Sequence, residues 1–193
     1  MISFNTNLLS NTNENTNPLI EPGATLTPAL FESIYETFFD RVYNYFSYRV
    51  ASREEAEDLT AQVFEQIINR FRQYDPAKGQ FQNWLFGIAR NALASQFRSK
   101  KRHPQAALDE SFEEDTAVGP AQQILQLEEH SRLLVYINKL PERDRDLIAL
   151  RYGAEMSQRQ IGEVLKMKES AVAVALGRAV QRLRRHFEKD EIT

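Results

Sequence analysis

The chain has 193 residues, 42% of them hydrophobic and 26% charged, with a formal net charge of -3, enough to bury one medium core or two small ones. It contains no cysteine, and its three histidines (His103, His130, His186) stand far apart; this excludes disulfides and thiolate metal centres and leaves no ligand spacing for a metal. With no long apolar run, no basic leader before an apolar core and no catalytic constellation, the expectation is a cytoplasmic protein without membrane insertion, without cofactor, and not an enzyme.

Charge is unevenly spread along the chain. Residues 27–104 carry +2, residues 105–130 carry -7 with no Lys or Arg, and residues 131–193 carry +4, so two mildly basic modules flank an acidic connector. Residues 1–26 are rich in Asn and Thr with little periodic apolar content, which predicts a disordered tail. Thr27 and Pro28 then supply an N-cap and first helical residue. Phe31, Ile34, Tyr35, Phe38, Phe39, Val42, Tyr43 and Phe46 continue a wide apolar stripe, as a core helix would. Ser52-Arg53-Glu54-Glu55 reads as a capping box opening a helix with Ala56, Leu59, Val63, Ile67 and Phe71 inward. Its opposite face shows Glu57, Asp58, Gln62 and Glu65, a solvated surface or a dock for a basic partner.

The turn Asp75-Pro76-Ala77-Lys78-Gly79 ends that helix, because the residue before proline avoids helical geometry. The next helix places Phe81, Trp84, Leu85, Ile88 and Ala92 on one predicted buried face, with Gln82, Phe86, Arg90, Asn91 and Arg98 elsewhere around the barrel. A basic run, Arg98, Lys100, Lys101 and Arg102, closes it. Cations that follow phosphates, beside aromatics for stacking and an amide for a base edge, suit single-strand capture; a basic helix end also arises simply from the helix dipole.

The stretch AALDESFEEDTAVGP has no helical period and reads as a linker. A second helical module follows, with Ile124, Leu127, Leu134 and Ile137 as one stripe, a restart at Leu140-Pro141, and Leu147, Ile148 and Leu150 packing the next helix up to a Gly153 C-cap. Ser157-Gln158-Arg159-Gln160 is a second capping box before a short helix with Ile161, Val164 and Leu165 inward. After the turn from Lys166 to Glu169 comes a longer helix with Val172, Leu176, Ala179, Val180, Leu183 and Phe187 inward and Arg178, Arg182, Arg184 and Arg185 outward. Short helix, tight turn and longer basic helix form a helix-turn-helix of the DNA-reading kind, although tight helical hairpins also occur in proteins that never touch DNA. The predicted fold is all-α: a tail (1–26), a helical domain (27–104), an acidic flexible linker (105–122) and a second small helical domain (123–193).

Two stretches now resemble one family. AEDLTAQVF with FRQYDPAKGQFQNWLFGIARNALASQFRSKKR looks like sigma region two, and LPERDRDLIALRY with SQRQIGEVLKMKESAVAVALGRAVQRLRR looks like sigma region four. In this order, split by an acidic linker, they are similar to the extracytoplasmic-function (ECF) sigma factors. The resemblance implies that the chain binds core RNA polymerase, directs it to promoters and helps melt the minus-ten element. Its partners would be the largest-subunit clamp, the second-largest-subunit flap, promoter DNA and an anti-sigma factor. It places Asp58, Gln62 and Glu65 on the clamp-binding surface. Lys78, Gly79, Phe81, Trp84, Arg90, Asn91, Arg98, Lys100, Lys101 and Arg102 fall to minus-ten DNA, and Ser170, Ala171, Ala173, Val174, Arg178 and Arg182 to minus-thirty-five DNA. The chain departs from the usual pattern in Lys166, where Gly is common, in Ala173 and Ala175, where Lys and Arg are usual, and in Gln82 and Ser95. The competing readings are a stand-alone helix-turn-helix regulator and an adaptor that docks on polymerase or a sigma antagonist.

Overall fold

The structure is a computed structural model and describes residues 20–21, 23–102 and 132–190. The acidic linker, the stripe residues Ile124 and Leu127, and residues 1–19 of the expected tail lie outside the described residues. Every regular element among those described is helical.

The first module is built from α1 (Pro28–Ser47), α2 (Arg53–Arg70) and α3 (Phe81–Arg102). Thr27 caps α1 by accepting the Leu30 backbone N–H at 3.2 Å, with Pro28 in the first turn. Ser52 caps α2 by accepting from Glu55 N at 3.2 Å, as expected. The Glu55 carboxylate, expected to reach back to the cap, instead meets Lys100 at 2.9 Å and accepts from Gln96, tying α2 to the far end of α3. Ile34, Phe38 and Val42 of α1, Leu59, Val63 and Ile67 of α2, and Phe81, Leu85 and Ile88 of α3 are buried together; burying each such side chain contributes about 1.5–3 kcal/mol. Ile20 is buried as well, and Ala24 and Leu26 pack against the core, so the end of the expected tail is part of the folded module.

The second module comprises α4 (132–138), α5 (Glu142–Ile148), a π-helical turn (Ala149–Gly153), α6 (Gln158–Leu165) and α7 (Glu169–Asp190). Tyr136, Ile137, Leu147, Ile161, Val172, Leu176, Ala179 and Leu183 form its buried interior, and the Tyr136 and Phe187 rings lie 4.2 Å apart. The capping box of α6 is complete: Ser157 accepts from Gln160 N, and the Gln160 side chain accepts from Ser157 N at 2.9 Å. The turn into α7 is Lys166 to Lys168, since Glu169 is already helical.

Gly153 does not act as the left-handed cap expected of it. The π-turn closes through Ala154 N donating to Ala149 O at 2.9 Å, and the left-handed residue comes later, at Glu155 with φ 53°. Gly153 is small for a different reason: a Cβ there would lie 2.8 Å from the backbone oxygen of Asn44 and 2.9 Å from Tyr45 N. The second module thus approaches the backbone of α1 where only glycine fits, and the two modules pack directly on one another, α1 against the π-turn and α3 against α6.

Candidate polymerase and nucleic-acid interfaces

Three surfaces carry the residues singled out above. On α2, Asp58, Gln62 and Glu65 are all exposed, and their spacing of four and three residues sets them on one side of the helix. Leu59, Val63 and Ile67 hold the opposite side in the core, so this acidic face is displayed by a rigid element.

The second surface runs from the turn before α3 along that helix. Asp75 accepts from Ala77 N at 3.0 Å and pairs with Lys78 at 3.3 Å, while Tyr74 donates its hydroxyl to Gly79 O at 3.2 Å. Gly79 has φ 148°, a backbone conformation open in practice only to glycine. The turn is therefore closed by its own side chains, with Lys78 exposed at its tip. Burial, followed by the Asp75 charge, raises the Tyr74 phenol above its ordinary range, which keeps it a donor. Trp84 is half-buried against Phe81 at 5.5 Å and Tyr74 at 5.6 Å between ring centroids.

Asn91, Arg98, Lys101 and Arg102 are exposed along one length of α3. Phe81 is corrected: it is fully buried and supports the helix instead of facing a strand. Lys100 is directed at the buried Glu55 carboxylate. Gln82 and Phe86, expected away from the core, are buried too: Gln82 accepts from Gln160 of α6, and Phe86 packs on Tyr45 of α1 with ring centroids 5.8 Å apart. Arg90 is half-buried, its Nε donating to Asp146 at 2.9 Å and its Nη1 to Val164 O at 3.4 Å.

The third surface is the start of α7. Ser170, Ala171, Val174 and Arg178 are exposed, Ala173 is half-buried, and Arg182 pairs with the buried Asp144 of α5. Ser170, Ala171, Val174, Ala175, Arg178 and Arg182 also line one shallow depression. Short apolar side chains beside arginines suit a contact with thymine methyls flanked by phosphate anchoring.

Sequence periodicity missed the residues that join the surfaces. Asp146 accepts from Tyr45 OH at 2.9 Å and from Arg90, and it pairs with Arg49 at 3.0 Å. Burial, followed by the Asp146 charge, pushes the Tyr45 phenol well above its usual range. Gln160 donates to Gln80 at 3.2 Å and Gln82 at 3.3 Å, and Asn83 donates to Glu163. Arg41, its Nε donating to Ala154 O at 2.9 Å, is pulled below the usual guanidinium range by burial. The one sequence signal for this set was a second acidic residue in Arg143-Asp144-Arg145-Asp146 directly before the apolar Leu147 and Ile148.

Known proteins share this arrangement. The family description "Sigma-70 region 2" matches residues 34–103 and "Sigma-70, region 4" matches residues 136–185. The ECF RNA polymerase sigma factor BldN of Streptomyces coelicolor is 27% identical over 161 residues, and the chain spans 61% of its length. SigX and SigM of Bacillus subtilis are each 26% identical, over alignments covering 82% of this chain and 84% and 95% of theirs. Among solved structures, CnrH in complex with the cytosolic domain of CnrY superposes with a TM-score of 0.62 at 20% identity, covering 85% of this chain and 91% of that one. RpoE of Bartonella quintana, in complex with the anti-sigma factor NepR, gives 0.63 at 22%, covering 82% and 96%. Two sigma modules in this order define a transcription initiation factor, and the chain belongs to the sigma-70 family as an ECF RNA polymerase sigma factor. No helix among the described residues is long and apolar enough to cross a membrane.

Proposed function

We propose that this chain docks on core RNA polymerase through the α2 face of Asp58, Gln62 and Glu65, opens and holds the minus-ten element along α3, and anchors the start of α7 on the minus-thirty-five element. The observation that carries this reading is the presentation of three chemically different surfaces by one scaffold: acidic on α2, aromatic and basic on α3, short apolar side chains beside arginines on α7. Trp84, Arg90 and Asn91 would support and contact an unpaired strand, whose stacking losses of roughly 1.4 kcal/mol per step base capture can offset. The flap of the second-largest subunit would bind the second module, and the acidic linker would pass through a basic polymerase channel. The chain works in the cytoplasm and performs no chemistry of its own; the polymerase forms the bonds. A protein of the anti-sigma kind is the expected antagonist, as suggested by the complexes in which CnrH and RpoE were solved.

The test is transcription from genomic fragments by purified core polymerase with and without this protein, with start sites mapped. Discrete starts that require the protein support the reading. A protein that binds specific duplex sites alone yet yields no new starts is a stand-alone helix-turn-helix regulator instead.

A further inference from the structure

The segment before α1 holds its place without regular structure. Ile20 is 9% exposed, Ala24 and Leu26 pack against the core, and Ala24 N donates to Glu21 O at 3.1 Å, closing a turn in which Gly23 has φ 78°. A depression of about 820 Å³ is lined by this segment, through Ile20, Thr25 and Leu26, and equally by the end of α2 and the stretch after it, through Ile68, Phe71 and Pro76. Tyr74, Asp75 and Lys78 line it too, and the same three residues line the cleft that contains Gly79 and Trp84. One short turn therefore contributes to two hollows.

The lining suits a nucleobase, since small-ligand sites combine apolar surface with a few polar groups. Ile68 is 54% exposed although large and apolar, and Leu26, Tyr74 and Pro76 are half-buried, which leaves surface on which a flat ring can lie. Thr25 and Gln73 are exposed in the same lining, and a hydroxyl and an amide each donate and accept, as a base edge requires. Glu21 and Asp75 offset Arg72 and Lys78 in formal charge, a balance that favours an uncharged base over a phosphate inside the hollow. Arg72 and Lys78 are themselves exposed and can take the phosphates on either side of that base.

We infer that this depression is a second base site, which takes an unpaired base neighbouring the one held at Gly79 and Trp84, and that the segment before α1 is part of the nucleic-acid interface. This deepens the strand-capture reading above and rests on it.

The test uses the full chain with core polymerase on promoter forks whose melted strand is already single, each fork carrying one abasic nucleotide. With the wild-type chain, loss of either captured base should weaken binding by about tenfold, within the range of one stacked base. Thr25→Trp puts a large side chain at an exposed lining position. It should weaken binding to the intact fork by a similar factor and erase the abasic penalty at one position, while Asn91→Ala should erase it at a neighbouring one. Thermal melting should stay at the wild-type temperature; if Thr25→Trp lowers it, Ile68→Trp crowds the same depression from α2 and should give the same profile. Penalties left intact by Thr25→Trp and Ile68→Trp, with one still erased by Asn91→Ala, overturn the second site and leave strand capture standing. If none of the three variants moves any penalty, the strand-capture reading fails and the second site fails with it. Weaker binding to core polymerase alone, with the abasic profile unchanged, also overturns the site and assigns the depression to a protein contact.

Discussion

Lys166 ends α6 in the left-handed conformation, φ 57° and ψ 45°, which a residue with a Cβ adopts at a cost of roughly 1–2 kcal/mol. Glycine removes that strain but loses more backbone freedom on folding. Lys166→Gly should therefore raise stability by a net amount of up to about 1 kcal/mol, read as a higher melting temperature; a lower one would show that the lysine makes a contact worth more than the strain. At Gly79 the sign reverses, since φ 148° leaves no comfortable alternative, and Gly79→Ala should cost about 1–3 kcal/mol. Tyr45 links stability to alkaline pH. Its phenol is raised well above 10.0 in the folded chain, so above pH 10 the unfolded chain releases a proton that the folded chain retains, and stability falls as pH rises from there. Below pH 10 this contribution is fully present. Tyr45→Phe should cost roughly 1.5–3 kcal/mol at neutral pH through the lost bond to a charged acceptor and should flatten the decline between pH 10 and 11, as denaturant unfolding at several pH values would show.

Single helices were the most legible level of this chain. The caps at Thr27, Ser52 and Ser157, the inward faces of α1, α2 and α7, and the exposed acidic side of α2 follow from local period and capping chemistry. What stayed hidden on α3 was hidden for one reason: periodicity finds a buried stripe, but α3 is covered by α1, α2 and α6, so Gln82, against α6, and Phe86, against Tyr45 of α1, look surface-facing in a helical projection and are not. The exposed faces lend themselves to element-scale tests. Asp58→Arg with Gln62→Arg should weaken binding to core polymerase and leave circular dichroism unchanged, because neither side chain touches the core; unchanged affinity in a pull-down would clear this face of the role. On α7, Arg178→Ala should weaken upstream DNA binding about equally on all sequences and lower the salt slope by about 1. A selective loss on one sequence would show that Arg178 reads a base.

At the scale of the whole molecule, the order of the modules and the charge of the connector could be read from sequence, whereas their packing could not. Tyr45 and Asp146 lie 101 residues apart, and nothing in either local pattern specifies the other as partner; Gly153 looked like a helix end because only the folded chain brings Asn44 against it. The central claim joins all three surfaces: this one chain gives core polymerase a start site and opens it. Permanganate footprinting of a mapped promoter measures that directly. Thymines just upstream of the start should become reactive only when core polymerase and this protein are both present, and Asn91→Ala should abolish the reactivity while retaining the bound complex on gels. Equal reactivity with core polymerase alone, or none at any promoter the protein occupies, would contradict the account.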